Sequence, residues 1–474
     1  MDNIHVIDYT VMSVYILGIF ILAFYSGKAK HGANLIQDQY LAGKSLTLME
    51  SLCSIIATEV SALTFLGIPA YAYGGDYSFI QIYMGALFGR IIIAFIMLPK
   101  IYDQGLTVYT VMAKLGGEQG QKAIALFYSL NKFLAVGVRL FAGSIIISEF
   151  FDTSIYMAVA IICIMTFFYT LIGGLKAVVR TDMVQMVLFI VGGLTAHYLI
   201  PQVAGVSWTE LMGVASSADK TSFISFANPL PFVIGVLGGI LFDMATHGVD
   251  QDFVQRLTAN RKMKDAQIAI ISSTFVSIAV GLLFLGVGTL LWSYYQTNVH
   301  PGVANDKLFA YFITHHFPVG LKGLMVAGVL AATMSTLDST INALSATFYN
   351  DIFKHKTKNI KQVQNFYKRD TLIITLILML IAFIASNSEE LLLFGLKITS
   401  WTAGSLLAVF FSVVIFRFAK LRTWNVVMAY IFGALGVYAN TFLIEWDWNF
   451  NVYIGFSLGL LAIYITEKIS SRNH

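Results

Sequence analysis

The stretch Ala331-Ala-Thr-Met-Ser-Thr-Leu-Asp-Ser-Thr340, followed by Asn342 and Ser345, sets hydroxyls, an amide and a carboxylate inside an apolar run. In a helix, Ser335, Asp338, Ser339 and Asn342 follow the i, i+3, i+4, i+7 pattern of one face, and Thr336 flanks that stripe. Hydroxyls alone would read as a helix-packing surface that bonds back to its own backbone. Asp338 changes that reading, because an ionised carboxylate within lipid needs a partner, a proton or a cation. Oxygen ligands of this kind suit a hard cation such as sodium. A second carboxylate, Asp182, opens another apolar segment, where it could equally be a first-turn acid favoured by the helix dipole.

Glu59, Arg139, Asp243 and Lys397 are ionisable and deep in apolar sequence, so each is a functional candidate by default. Two readings stand side by side. Arg139 pairs with Glu59 or Asp243 as a structural bridge, or these acids and bases hold the ends of a zwitterion or the hydroxyls of a sugar-like solute. Buried hydrogen-bonding groups discriminate strongly, since a wrong ligand leaves them unpaired. His247 reads more readily as a core histidine than as a ligand, and His315-His316 as solvated residues of an external connection. No nucleotide-binding loop, zinc-ligand spacing or nucleophile elbow occurs, which argues against an enzyme.

The elements that carry these residues are set by composition. Of 474 residues 57% are apolar and 12% charged, and the mean hydropathy is +0.74. About a quarter charged is usual for a soluble protein, so lipid is the expected solvent. The fold class expected is all-α, a polytopic membrane protein of about 13 transmembrane helices. They lie near 6–26, 46–73, 77–101, 120–149, 153–173, 179–201, 229–256, 265–295, 319–350, 370–387, 389–418, 423–443 and 449–469.

Basic residues fill alternate connections, among them Lys28, Lys30 and Lys44, then Lys100 and Lys114, then Arg256 and Arg261, then Lys354, Lys356, Lys358 and Lys361. Acids such as Asp76, Glu389, Glu390, Glu445 and Asp447 mark the intervening side. By the positive-inside rule the N-terminus lies outside and the C-terminus in the cytoplasm of a bacterial-type inner membrane. The net charge of +4 is therefore a topology signal and implies no nucleic-acid partner.

Two spans are expected to be broken. Gly67, Pro69, Gly74 and Gly75 follow Ser61 and Thr64 in the second, and Gly235, Gly238 and Gly239 precede Asp243, His247 and Gly248 in the seventh. Helix breaks survive in a membrane only where the freed backbone faces protein or a wet cavity. Five spans separate the two, so their orientations oppose, the pattern of inverted five-helix repeats around a midplane site.

Four segments in order, Ile56-Ala-Thr-Glu-Val-Ser-Ala-Leu-Thr-Phe-Leu-Gly67, Gly173–Gln185, Asp250-Gln-Asp-Phe-Val-Gln-Arg256 and Ala332–Ser339, resemble the solute:sodium symporter family. That family includes sugar, proline, iodide and sialic-acid cotransporters on the leucine-transporter fold. The resemblance implies a single transporter domain: an extra N-terminal helix and loop (1–45), two five-helix repeats (46–201 and 229–418) and two C-terminal helices (423–469).

The resemblance also implies a main sodium site of backbone carbonyls from Ala57, Val60 and Ala332 with the hydroxyls of Ser335 and Thr336. A further ion in some relatives would use Asp182 and Ser339. Asp338 stands where those relatives carry a hydroxyl, leaving a tighter second sodium site, a protonated Asp338 or a proton relay. Solute would be lined by Glu59, Ser61, Thr64, Tyr83, Arg139, Asp243, His247 and Lys397. The implied activity is uptake of a small polar organic solute (a sugar, amino acid, sialic acid or similar) driven by sodium, by alternating access in a monomer. A proton-coupled symporter using Asp182 and Asp338 is the alternative.

Overall fold

A computed structural model describes residues 5–27, 35–224, 230–355, 359–385 and 391–472. Lys28, Lys30, Lys356, Lys358, Glu389 and Glu390 lie outside them. The described residues are all-helical, and their β-pairing is limited to one isolated bridge, Leu46 with Asn260. In chain order the main helices are α1 (Val6–Gly27), α2 (Leu48–Glu59), α3 (Leu63–Gly74), α4 (Ile80–Ile101), α5 (Gln121–Phe151), α6 (Ile155–Leu171) and α7 (Gly174–Ala204). They continue with α8 (Leu230–Gly248), α9 (Gln251–Thr258), α10 (Met263–Thr297), α11 (Leu321–Ile352), α12 (Ile360–Ala385), α13 (Leu392–Ile415), α14 (Thr423–Ile444) and α15 (Phe450–Ser471).

Among the described residues 10 of these are long and apolar enough to cross a bilayer, or 11 with α2 and α3 counted as one span bent by 59°. The count of thirteen is not reached. Helix α6 is an apolar helix of only 17 residues, and α12 begins with Lys361, Lys368, Arg369 and Asp370. The connection expected between α6 and α7 shrinks to a turn at Gly174, whose φ of 58° strains any residue with a Cβ.

The second span is broken as expected, but at Val60–Ala62, just before Gly67 and Pro69, through which the helix continues to Gly74. The break expected in the seventh span does not fall at its glycines. Helix α8 runs unbroken through Gly235, Gly238 and Gly239 and stops at Gly248, and α9 starts after Asp250, whose side chain accepts from the Asp252 amide. The glycines serve packing instead. A Cβ on Gly85 of α4 would lie 2.8 Å from the Gly239 Cα, so the two backbones nearly touch.

Helix α11 runs through the centre, with 94% of its apolar window buried inside the protein, against 22% for α1, 28% for α14 and 33% for α15. The last three therefore form the lipid-facing periphery. One of them is nonetheless fastened to the centre: the buried Asp8 of α1 accepts from the amides of Gly320 (2.7 Å) and Gly323 (3.0 Å) at the start of α11. It thereby satisfies amides that a helix N-terminus leaves without partners. At the other end of the bundle, Leu46 exchanges backbone bonds with Ala259 and Arg261, tying the approach to α2 to the exit of α9.

Candidate functional site

Helix α2 begins with a Thr47–Glu50 capping box and ends at Glu59, where Val60 turns extended (φ −80°, ψ 103°). The break redirects two amides. The Ser61 amide goes to the Thr64 hydroxyl (3.3 Å) instead of the Ala57 carbonyl, and the Thr64 amide goes to the Ser61 carbonyl (2.9 Å) instead of Val60. The Ala57 and Val60 carbonyls thus lose their i+4 donors. Ser335 of α11 donates to the Ala57 carbonyl at 3.2 Å, and Thr336 bonds back to the Ala332 carbonyl at 3.1 Å. Ala57, Val60, Ala332, Ser335 and Thr336 are all buried, which sets carbonyl and hydroxyl oxygens of two elements together away from bulk solvent. Such a set suits a monovalent hard cation. Among the described residues no cluster of His, Cys, Asp and Glu offers an alternative metal site.

Asp182 adjoins this set. It accepts from Ser335 and, at 2.5 Å, from Ser54, and Arg256 lies 3.4 Å away. Arg256, expected among the basic residues of a connection, lies instead in α9 and is fully buried. Its guanidinium bonds Ser54 (2.8 Å), the Asp252 carbonyl (2.7 Å) and carboxylate (2.8 Å), and Ser339. Lys132 extends the chain of charges, 3.0 Å from Asp252 and 2.8 Å from Asp250. Asp338 takes a different path, engaged by the Tyr169 hydroxyl of α6 and by Ser339 at 3.3 Å.

A cavity of about 100 Å³ opens on the other side of the α2–α3 break. Its walls include Glu59, Ser61, Thr64, Tyr83, Arg139, Asp243 and His247, with Phe242, Phe253, Leu392 and Leu396 as apolar lining. Seven of the eight expected solute residues therefore meet in one place. Lys397 does not. It is exposed, because Leu392 and Leu396 present the inward face of α13 and Lys397 is the next residue around the helix.

The structural bridge is made by an arginine that sequence reasoning passed over. Arg90 of α4, fully buried, lies 2.8 Å from Glu59 and 3.2 Å from Asp243 and donates to Ser273 at 2.6 Å. His247 completes the set, 3.0 Å from Asp243 and 3.3 Å from Arg90, and Ser277 donates to Glu59 at 2.7 Å. The signal was present, since Arg90 interrupts an apolar run. Arg139 makes no ion pair among the described residues, so of its two readings the structural bridge to Glu59 and Asp243 falls to Arg90.

Comparison with known proteins places this geometry. The model of the sodium:solute symporter family matches residues 39–423. A sodium/sialic acid symporter of Aliivibrio fischeri is 23% identical over 98% of this chain and 94% of its own length. A sodium/glucose cotransporter of Vibrio parahaemolyticus is 26% identical over 73% and 69%. The human sodium/iodide cotransporter is 25% identical over 74% of this chain, which spans 56% of that longer protein. A solved structure of a Na+-coupled sialic acid symporter in a substrate-bound outward-open state superposes with a TM-score of 0.87, at 21% identity and 98% coverage of both chains. A hydantoin-bound nucleobase-cation symporter shares the fold more distantly, with a TM-score of 0.61, 14% identity, and 92% and 95% coverage. The sodium coupling named for the first three relatives speaks against the proton-driven alternative. This multi-pass membrane chain, a sodium-coupled transporter and not an enzyme, belongs to the sodium:solute symporter family.

Proposed function

We propose that the chain takes up a small polar solute bearing a carboxylate, a sugar acid of the sialic-acid class fitting best, with the Ala57–Val60–Ala332–Ser335–Thr336 cluster as its sodium site. The observation that carries this reading is the contrast among the charged groups of the cavity. Glu59 and Asp243 are held by Arg90 and His247, whereas Arg139 faces the same cavity with no ion pair among the described residues. A guanidinium presents a rigid fork that matches a carboxylate. The O–H groups of Ser61 and Thr64 are free to join it, because both hydroxyls serve the helix break as acceptors. Sialic acid is also the solute named for the Aliivibrio relative.

Sodium at this position bridges α2 to α11 and sets the break, and with it Ser61 and Thr64, in the geometry that receives solute. Coupling is then reciprocal: sodium raises solute affinity by the factor by which solute raises sodium affinity. The N-terminus is outside and the monomer is the working unit in this reading.

A thermal-shift screen of the purified protein in sodium or potassium tests it, since ligands that bind only the folded state raise Tm by mass action. Sialic acid and other carboxylated sugars should raise Tm in sodium alone. A shift with neutral sugars and none with carboxylates would overturn the solute assignment. A solute shift equal in potassium and sodium would overturn the ion site.

A further inference from the structure

We propose that Arg90 and Glu59 form a specificity dyad: Arg90 holds one oxygen of the Glu59 carboxylate and so leaves the other for the solute, which must bring an O–H or N–H donor to it. The inference rests on the reading of Arg139 as the partner of the solute carboxylate, and it names a second group that the solute must carry.

Arg90 is fully buried, and each of its side-chain nitrogens has a partner. Nε donates to Asp243 Oδ1 (3.2 Å) and Nη1 to the Ser273 hydroxyl (2.6 Å), while Nη2 lies 2.8 Å from Glu59 Oε2 and 3.3 Å from His247 Nε2. A planar guanidinium bonded through all three nitrogens is a fixed fork. Glu59 is held on the same oxygen from two further sides. Ser277 donates to Oε2 at 2.7 Å, and His247 Nε2 lies 3.8 Å from it. Oε1 is left without a partner among the described residues, on a side chain that is 14% exposed and lines the cavity. Asp243 is fixed differently. Arg90 and His247 both take its Oδ1, and its unbonded Oδ2 is buried against Gly89, where a Cβ would meet it at 3.3 Å. Of these two carboxylates, Glu59 is thus the one with an oxygen to offer.

A charged acceptor in a cavity partly lined by Phe242, Phe253, Leu392 and Leu396 loses water when solute fills the space, and it stays unpaired unless the solute supplies a donor. Sites built this way reject analogues lacking the donor more strongly than pockets that only fit a shape. A second carboxylate on the solute would meet Glu59 as a like charge and is disfavoured as well. The dyad therefore selects hydroxylated or N–H-bearing monocarboxylates over simple alkyl carboxylates and dicarboxylates.

Isothermal titration of the purified full-length protein in sodium tests the proposal, with sialic acid and a series of analogues each lacking one hydroxyl or the acetamido group as probes. We expect at least one analogue to bind the unaltered protein about 10-fold or more weaker than the parent, the loss of one hydrogen bond to a charged group. In Glu59→Gln, Arg90 and Ser277 keep the amide oxygen and leave the NH2 group to the cavity, which replaces an acceptor by a donor. This variant should no longer separate parent from analogue. Arg90→Lys, which keeps the charge but one nitrogen in place of three, should shrink the same ratio. The ratio is the informative quantity, because a loosened fold weakens parent and analogue alike. Equal binding of every analogue by the unaltered protein would overturn the proposal, whether or not the variants fold. So would a folded Glu59→Gln or Arg90→Lys that discriminates as before. Failure of sialic acid and other carboxylated sugars to bind the unaltered protein would instead overturn the solute assignment on which the inference rests.

Discussion

Replacing Arg139 by Gln keeps a polar, though shorter, side chain in the cavity wall and removes the one cation there that makes no ion pair among the described residues. Phe242, Phe253, Leu392 and Leu396 line the same cavity, so a solute carboxylate entering it exchanges water for a partly apolar lining. A hydrogen bond to a charged group contributes about 1.5–3 kcal/mol. At 1.4 kcal/mol per factor of ten, losing one raises the Kd for a carboxylated solute roughly 10- to 150-fold. Binding should not vanish, because the Ser61 and Thr64 O–H groups remain. Arg139→Lys should recover part of the loss, since an ammonium restores charge without the planar fork. Sodium affinity without solute should stay within about twofold, as expected for sites that share no partner. Sodium-dependent uptake of sialic acid into proteoliposomes, together with thermal shifts over a solute concentration series, reads all three quantities. Unchanged carboxylate affinity in Arg139→Gln would refute the assignment of that residue. An equal loss of sodium affinity would show that Arg139 acts through the fold and not through the solute.

Ser335→Ala and Thr336→Ala each remove one oxygen of the proposed sodium site and should raise the sodium concentration for half-maximal uptake about tenfold, on the order of one hydrogen-bond-scale contact; normal sodium dependence in both would move the site elsewhere. Arg90→Met strands Glu59 and Asp243, and breaking a buried pair costs about 3–5 kcal/mol, so detergent-stable protein should be lost in size-exclusion profiles and regained in Arg90→Met/Glu59→Gln/Asp243→Asn. Gly85→Leu should lower Tm markedly, because overpacking costs about 1–3 kcal/mol or more where α4 and α8 meet backbone to backbone. Lys397→Ala should leave solute affinity untouched in the same uptake assay, in keeping with its exposed position off the cavity.

What could be read from the chain alone followed how local its cause was. That the second span is broken was legible from the local cluster of Gly67, Pro69, Gly74 and Gly75, but its place was not, since the break at Val60–Ala62 is held by Ser61 and Thr64 and the helix runs on through Pro69. The face of α11 was legible because helical periodicity is a local rule. The partners of the buried charges were not. Arg90 reaches Asp243 across 153 residues, and Arg256 reaches Asp182 across 74, pairings that only tertiary packing creates. Arg256 was also hidden by its neighbours: Arg261 and Lys262 follow it closely, and a basic cluster after an apolar span reads as a loop. Gly235, Gly238 and Gly239 misled for a similar reason. A glycine permits both a helix break and a close helix contact, and only the position of α4 decides between them.

The attachment of Asp8 to Gly320 and Gly323 sets a clock on assembly. The first helix emerges from the ribosome 312 residues before the amides that receive its carboxylate. At roughly 5–20 residues per second, that interval is about 15–60 s. Throughout it Asp8 must be solvated at the membrane surface, although α1 can already pack on α5, α6 and α7 through Tyr9 with Phe150, Phe20 with Tyr169 and Tyr15 with Gln185. The fastening of its carboxylate is therefore a late event, completed only when the start of α11 arrives, and a chain stalled before residue 320 would hold α1 by its side-chain packing with Asp8 still lacking those amides.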